Sequence, residues 1–179
     1  MDPIAHTLFG ATLAETRLKA LTRLAIPALI LGANAPDIDA ITMLVNRDLS
    51  LGFRRGWTHG VIAMFVLPAV LTVLLLIFDR VSAKVLGQVP RAKPRCLFLL
   101  SFLAVLSHPF LDWLNTYGVR LLMPFDSTWF YGDALFIVDP WVWLLMSATV
   151  VLVHSRSLKS AGAWLIFGVI LTALITSFD

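Results

Sequence analysis

The stretch from Val61 to Phe78 reads VIAMFVLPAVLTVLLLIF, eighteen residues without a charge. A helix needs roughly 20 apolar residues to cross a bilayer core of about 30 Å, so this run is a membrane span. Three further stretches share its character. Ala161 to Phe178 is equally uncharged. Cys96 to Leu111 is nearly apolar but contains His108 and is followed by Asp112. Trp141 to Val153 is apolar and stands behind Asp139-Pro140, which reads as a helix N-cap and first turn. Two shorter runs, Ile4 to Ala14 and Leu24 to Pro36, predict two short membrane helices or a re-entrant pair. The expected fold is therefore all-α: a polytopic membrane helix bundle of four spans plus two short N-terminal membrane helices, a single integral-membrane domain over residues 1–179. Pro27 and Pro68 predict kinks.

Composition agrees. The chain is 59% hydrophobic and 14% charged, with a mean hydropathy of +0.86. Soluble domains carry roughly 25% charged residues, so a soluble globule, a disordered chain and a nucleic-acid arm are all excluded. The single cysteine, Cys96, excludes a disulfide framework and a Cys-rich zinc site. Met1-Asp2-Pro3 lacks the basic start of a secretory signal, and none is expected.

Basic residues orient the chain. Arg80, Lys84, Arg91, Lys93 and Arg95 crowd the segment from Asp79 to Arg95, which is expected on the cytoplasmic side. The turns holding Arg17, Lys19 and Arg23, and Arg156 and Lys159, belong with it. Tyr117 to Asp139 has one basic residue, Arg120, against three aspartates, and is expected outside. Asn46 to Trp57 falls outside by this count yet carries Arg47, Arg54 and Arg55. Either lipid headgroups or an anionic ligand would explain that exception.

On this topology His6, Asn34, Asp37, Asp39, His59, His108, Asp112 and Asp139 all fall at the outer ends of their segments, whereas His154 falls at the inner end. His108 and Asp112 are spaced i, i+4, one turn apart on one helix face, where both can reach one metal ion. Ionisable groups near lipid are costly and read as functional. Asp37 and Asp39, two residues apart after a helix end, suit a divalent ion, although Pro36-Asp37 is also ordinary turn chemistry. Thr58 reads as the N-cap of the next span, with a neutral, metal-ready His59 in its first turn. Asp139 joins the candidate ligands, and the cap is its plainer role. Trp57, Trp113, Trp129, Trp141 and Trp143 read as an interfacial aromatic belt.

His6, Pro36-Asp37-Ile38-Asp39, Arg55-Gly56-Trp57-Thr58-His59 and Leu106-Ser107-His108-Pro109-Phe110-Leu111-Asp112, followed by Tyr117-Gly118 and Pro124-Phe125, resemble the YdjM/YbcI-like family in order. These are inner-membrane proteins described as metal-dependent hydrolases, some under LexA control. The resemblance runs from His6 to about Trp141. It implies a metal site carried by His6, Asp37, Asp39, His59, His108 and Asp112. Two positions depart: Gly60 stands where members often have Ser, and Arg54 where some have His.

The function expected is hydrolysis of a phosphoester or ester of a lipid or lipid-linked substrate at the outer face of a bacterial inner membrane. One or two divalent ions, zinc or manganese, would activate water. Asp39 is the candidate general base, and Arg54 and Arg55 the candidate stabilisers of anionic charge. The alternatives are a transporter or ion-binding protein built on the same Asp/His cluster, and a non-catalytic subunit stabilised by metal. The bilayer and a lipid substrate are the expected partners, with no nucleic acid.

Overall fold

The computed structural model describes residues 1–44 and 53–156. Five α-helices form within them: α1 (Pro3–Ala14), α2 (Ala25–Asn34), α3 (Ala63–Val85), α4 (Pro94–Trp113) and α5 (Pro140–Arg156). Two 3-10 segments, Arg17–Ala20 and Ala35–Leu44, follow α1 and α2. No strand forms among the described residues beyond isolated bridges that pin the irregular segment between α4 and α5.

Local chemistry sets the helix starts. Asp2 accepts hydrogen bonds from the Ile4 and Ala5 N–H groups, and Pro3 occupies the first position of α1. Asp139 and Pro140 repeat this arrangement at α5, where the carboxylate accepts from Trp141 and Val142 N–H. That is the cap the sequence predicts. Pro27 lies in the first turn of α2, where its missing N–H has no partner within the helix to lose. Pro68 and Pro109 lie inside α3 and α4.

Only α3 and α4, of 23 and 20 residues, are long and apolar enough to cross a membrane among the described residues. This corrects the expectation of four spans and two short helices. The run from Trp141 to Val153 falls in α5, whose described part covers 17 residues and ends where the described residues end. The helices α1 and α2, of 12 and 10 residues, rise only about 18 and 15 Å. Ala161 to Phe178 lies outside the described residues.

Helix α2 is the hub, packing on α1, α4 and α3. Four of its five buried residues are small, Ala25, Ala28, Gly32 and Ala33, with Leu29 the fifth, while Ile26 and Leu31 face out. A Cβ added at Gly32 would stand 2.7 Å from the Ala104 Cβ, so α2 and α4 touch backbone to backbone. One apolar cluster, including Leu29, Leu75, Leu97 and Leu100, fills the basic end of the bundle. Another, including Phe9, Leu111 and Met146, joins α1, α4 and α5.

At the basic end Asp79, 1% exposed, ties three segments together. It takes Arg23 at 3.1 Å and the Arg91 and Ala92 N–H groups at 2.9 Å. The Lys93 N–H meets the Thr22 hydroxyl at 2.9 Å. The turn after α1 and the loop after α3 thus share one end, as their positive charges imply.

Candidate metal centre

Four elements deliver side chains to the opposite end. Helix α1 brings His6, the 3-10 segment after α2 brings Asp37 and Asp39, the turns before α3 bring His59, and the last turns of α4 bring His108 and Asp112. The side chains of His6, His59, His108 and Asp112 are 0% exposed, and that of Asp37 is 19% exposed.

The separations form a pattern. His59 Nε2 lies 3.4 Å from Asp112 Oδ2, and His108 Nε2 lies 3.6 Å from the same oxygen. His108 Nε2 is 3.5 Å from Asp37 Oδ1, and His6 Nε2 is 3.3 Å from Asp112 Oδ1. Hydrogen bonds to oxygen centre near 2.9 Å, so these four are too long for good ones. Donor atoms bound tetrahedrally at about 2.1 Å would stand roughly 3.4 Å apart, close to what is seen. Two overlapping groups, His6–His108–Asp112 and Asp37–His59–His108, each keep their ligand atoms within 4.8 Å.

Hydrogen bonds behind the imidazoles fix which nitrogen looks inward. His108 Nδ1 sits 2.6 Å from the Ala33 carbonyl, which only accepts, so Nδ1 carries the proton. The Thr58 hydroxyl donates to Asp39 Oδ2 at 2.8 Å and accepts from His59 Nδ1 at 3.0 Å. Both Nε2 atoms therefore present lone pairs, yet they stand 3.0 Å apart. Two lone pairs at that distance repel unless a cation lies between them. Burial above all, then the neighbouring His108 and Arg55, holds the His59 imidazole well below its ordinary pKa and therefore neutral. Both ring nitrogens of His6, and Asp112 Oδ2, are buried without a hydrogen-bond partner. The ring of His6 stacks on that of His108 at 3.6 Å. The Met1 amino group abuts the Asp112 carboxylate.

Other candidates sit differently. Asp39 Oδ2 is committed to the Arg55 N–H at 2.9 Å and to Thr58, and it faces His59 Nδ1 at 3.5 Å. It stands behind His59. Burial raises its pKa against those two hydrogen bonds. The Arg55 guanidinium does not point at solvent or lipid. It is 4% exposed, donates to the Gly118 carbonyl and Asn115 Oδ1, and covers the Tyr117 ring at 4.6 Å. Its Nη2 lies 3.7 Å from Asp112. The basic loop that breaks the charge rule thus hides one of its cations, while Arg47 lies outside the described residues. Arg54 keeps a buried Nε without a hydrogen-bond partner. Asp139 caps α5 and belongs to neither donor group.

The expected capping of α3 by Thr58 does not occur. Residues 54–62 form turns, and α3 begins only at Ala63. The Gly60 N–H is held by the Gly56 carbonyl, and a Cβ at Gly60 would meet the Met123 carbonyl at 2.3 Å. A serine there would displace that backbone, which accounts for glycine in this chain. Sequence reasoning missed Asn115. Fully buried, it accepts from the Tyr117 and Gly118 N–H groups and from Arg55, and it reaches Asp112 Oδ1 at 3.4 Å. Its one sequence signal is its place three residues after Asp112.

The sequence model of the YdjM inner membrane protein family matches residues 1–178. The chain belongs to this family. As a YdjM-family member it is an inner membrane protein, with α3 and α4 as the crossing-length helices among the described residues. It is also similar to the uncharacterized protein YfhP of Bacillus subtilis (strain 168), 27% identical over 152 residues. That similarity covers 80% of this chain and 43% of YfhP, so the chain spans less than half the length of that relative. No solved structure matches.

Proposed function

We propose that this YdjM-family protein is a membrane-bound, metal-dependent hydrolase of a phosphoester or ester carried by a lipid or lipid-linked substrate. The observation that carries the proposal is the pair of inward Nε2 lone pairs, 3.0 Å apart beside Asp112. A proton or a metal ion between the two nitrogens satisfies that arrangement, and the Asp37 and Asp112 carboxylates around it suit the metal. Asp37, His59 and His108 would hold one divalent ion, zinc or manganese, with Asp112 Oδ2 3.4 Å from His59 Nε2 beside them. His6, His108 and Asp112 form a second, overlapping donor group, whose Asp112 Oδ1 is met by the Met1 amino group. A divalent ion in such a site supplies Lewis acidity and lowers the pKa of water toward neutrality.

The chain's own residues do the rest. Ala33 and the Thr58–Asp39 pair keep the Nδ1 protons of His108 and His59 in place and their Nε2 atoms free. Arg55 offsets the buried carboxylates and holds the 115–118 turn against the site. Arg54 is the group left to meet anionic charge on a substrate oxygen. Asp39 orients His59, with its Oδ1 left as the proton acceptor. The site lies at the end of the bundle opposite Arg23, Arg91 and Lys93, which supports the periplasmic face by the positive-inside rule. Its position at helix ends argues against a transport path, which would centre on the membrane midplane.

Elemental analysis of the detergent-purified protein tests this reading. Wild type is expected to carry zinc or manganese, and His59→Ala and Asp112→Ala to lose it. Chelator-sensitive release of phosphate from phosphatidic acid, isoprenoid pyrophosphate or a simple ester identifies the reaction. A wild-type protein that neither contains nor takes up a divalent metal overturns the proposal.

A further inference from the structure

Asp37 is the one donor of the cluster that is not sealed, and what it opens onto is apolar. A groove of about 450 Å³ runs between α2 and α3 with Asp37 at its head. Its walls are Leu31 of α2 and Leu67, Val70, Leu71 and Leu74 of α3. The four α3 residues are spaced i, i+3, i+4, i+7, one continuous stripe on one helix face. From Leu67 to Leu74 that stripe runs about 10 Å toward the middle of the helix. Helix α3 is of membrane-crossing length, and Val70, Leu74 and Leu31 are 50%, 58% and 51% exposed.

Two facts point to an amphiphile lying in the groove head-up. Among the described residues, His6, His59, His108 and Asp112 are closed off, so Asp37 marks where a molecule from outside meets the cluster. The approach to Asp37 is hydrocarbon-compatible along its length and carries no charge until Asp37 itself. Beside the cluster rather than in the groove lining, Arg54 has a buried Nε without a hydrogen-bond partner, and its charge acts on Asp39 and His59. A wholly polar substrate would gain nothing from the stripe, and a plain hydrocarbon nothing from the head.

We propose that the α2–α3 groove seats the hydrocarbon tail of a phosphate-headed lipid, which enters sideways from the bilayer and presents its phosphate at Asp37. This rests on the hydrolase reading above and adds the substrate class and its path. The tail runs along Leu67–Leu74 while the head takes the place beside the imidazoles. Depth is thereby fixed: the ester linkage lies level with the start of α3, at the site end of the membrane.

The test uses full-length protein in phosphatidylcholine nanodiscs and phosphatidic acid carrying a photoreactive diazirine at the end of one acyl chain. Labelled positions are mapped by mass spectrometry. Label is expected to concentrate on Leu31 and on 67–74, and to be competed by unlabelled phosphatidic acid and not by added phosphatidylcholine. Val70→Trp, which fills the groove, is expected to reduce that labelling to near background while metal content stays at the wild-type level. Val73→Trp, on another lipid-facing side of α3, is expected to leave labelling unchanged. Label spread equally over Phe65, Val73, Ile77 and Phe78, and indifferent to Val70→Trp, overturns the groove. The two readings fail separately. Metal-dependent turnover with evenly spread label removes the groove alone, whereas focused label on a protein without metal or turnover removes the hydrolase alone.

Discussion

Removing one methyl-sized hydroxyl behind the site should cost metal affinity without touching a ligand. The Thr58 Oγ1 is the hydrogen-bond partner of His59 Nδ1, at 3.0 Å. Asp39 Oδ2 faces the same nitrogen at 3.5 Å, too far to replace it without movement. Thr58→Val keeps the shape and deletes the hydroxyl, so a fully buried ring N–H loses its partner and the ring its fixed tautomer. An unsatisfied buried donor costs about 1–3 kcal/mol. At about 1.4 kcal/mol per factor of ten, that is a roughly 5- to 150-fold weaker site. Groups behind metal ligands generally contribute about 10- to 100-fold, the same range. The assay is a competition titration of zinc between the purified protein and a chromogenic chelator, with thermal unfolding run alongside. Thr58→Ser, which restores the hydroxyl, should recover most of the affinity. Wild-type zinc affinity in a folded Thr58→Val protein would refute the assignment of His59 Nε2 as the inward atom.

Two further substitutions separate architecture from chemistry. Asp139→Ala removes the cap of α5 and should lower stability by about 0.5–2 kcal/mol; its metal content, measured by elemental analysis, should stay at the wild-type value. Asp79→Ala strips the Arg91 and Ala92 N–H groups and Arg23 of their shared acceptor. Hydrogen bonds to a charged group contribute about 1.5–3 kcal/mol each, and Arg23 is part-exposed and adds little, so a loss on the order of 3 kcal/mol is expected. It should appear as a lower unfolding temperature in detergent, again with metal content retained.

What could be read from residues alone followed their chemistry. Apolar runs located the five helices of the described residues, and Asp139-Pro140 announced the start of α5, because those signals are local. Charge counting put the turn at Arg23 and the loop at Arg91 on one end, and a shared Asp79 binds them there. The short run from Ile4 to Ala14 ended where α1 ends, at Ala14, before a 3-10 turn; the count of spans was overestimated, since among the described residues only α3 and α4 reach crossing length. The roles of Asp39 and Arg55 were illegible for a different reason. Both sit next to the donor residues in sequence, and only three-dimensional packing reveals that one supports His59 and the other is turned inward onto Asn115, Gly118 and Tyr117. Asn115 escaped notice because a buried amide that organises a turn has no sequence pattern.

The seclusion of the imidazoles bears on how the protein is handled. With the imidazoles closed off and Asp37 alone part-exposed, a cation would leave by one narrow way and slowly, whatever the equilibrium affinity. A short dialysis against chelator would then leave much of the occupant in place, and chelator competition would need long equilibration. The ion found after purification would record which metal was at hand while the chain was folding into its membrane.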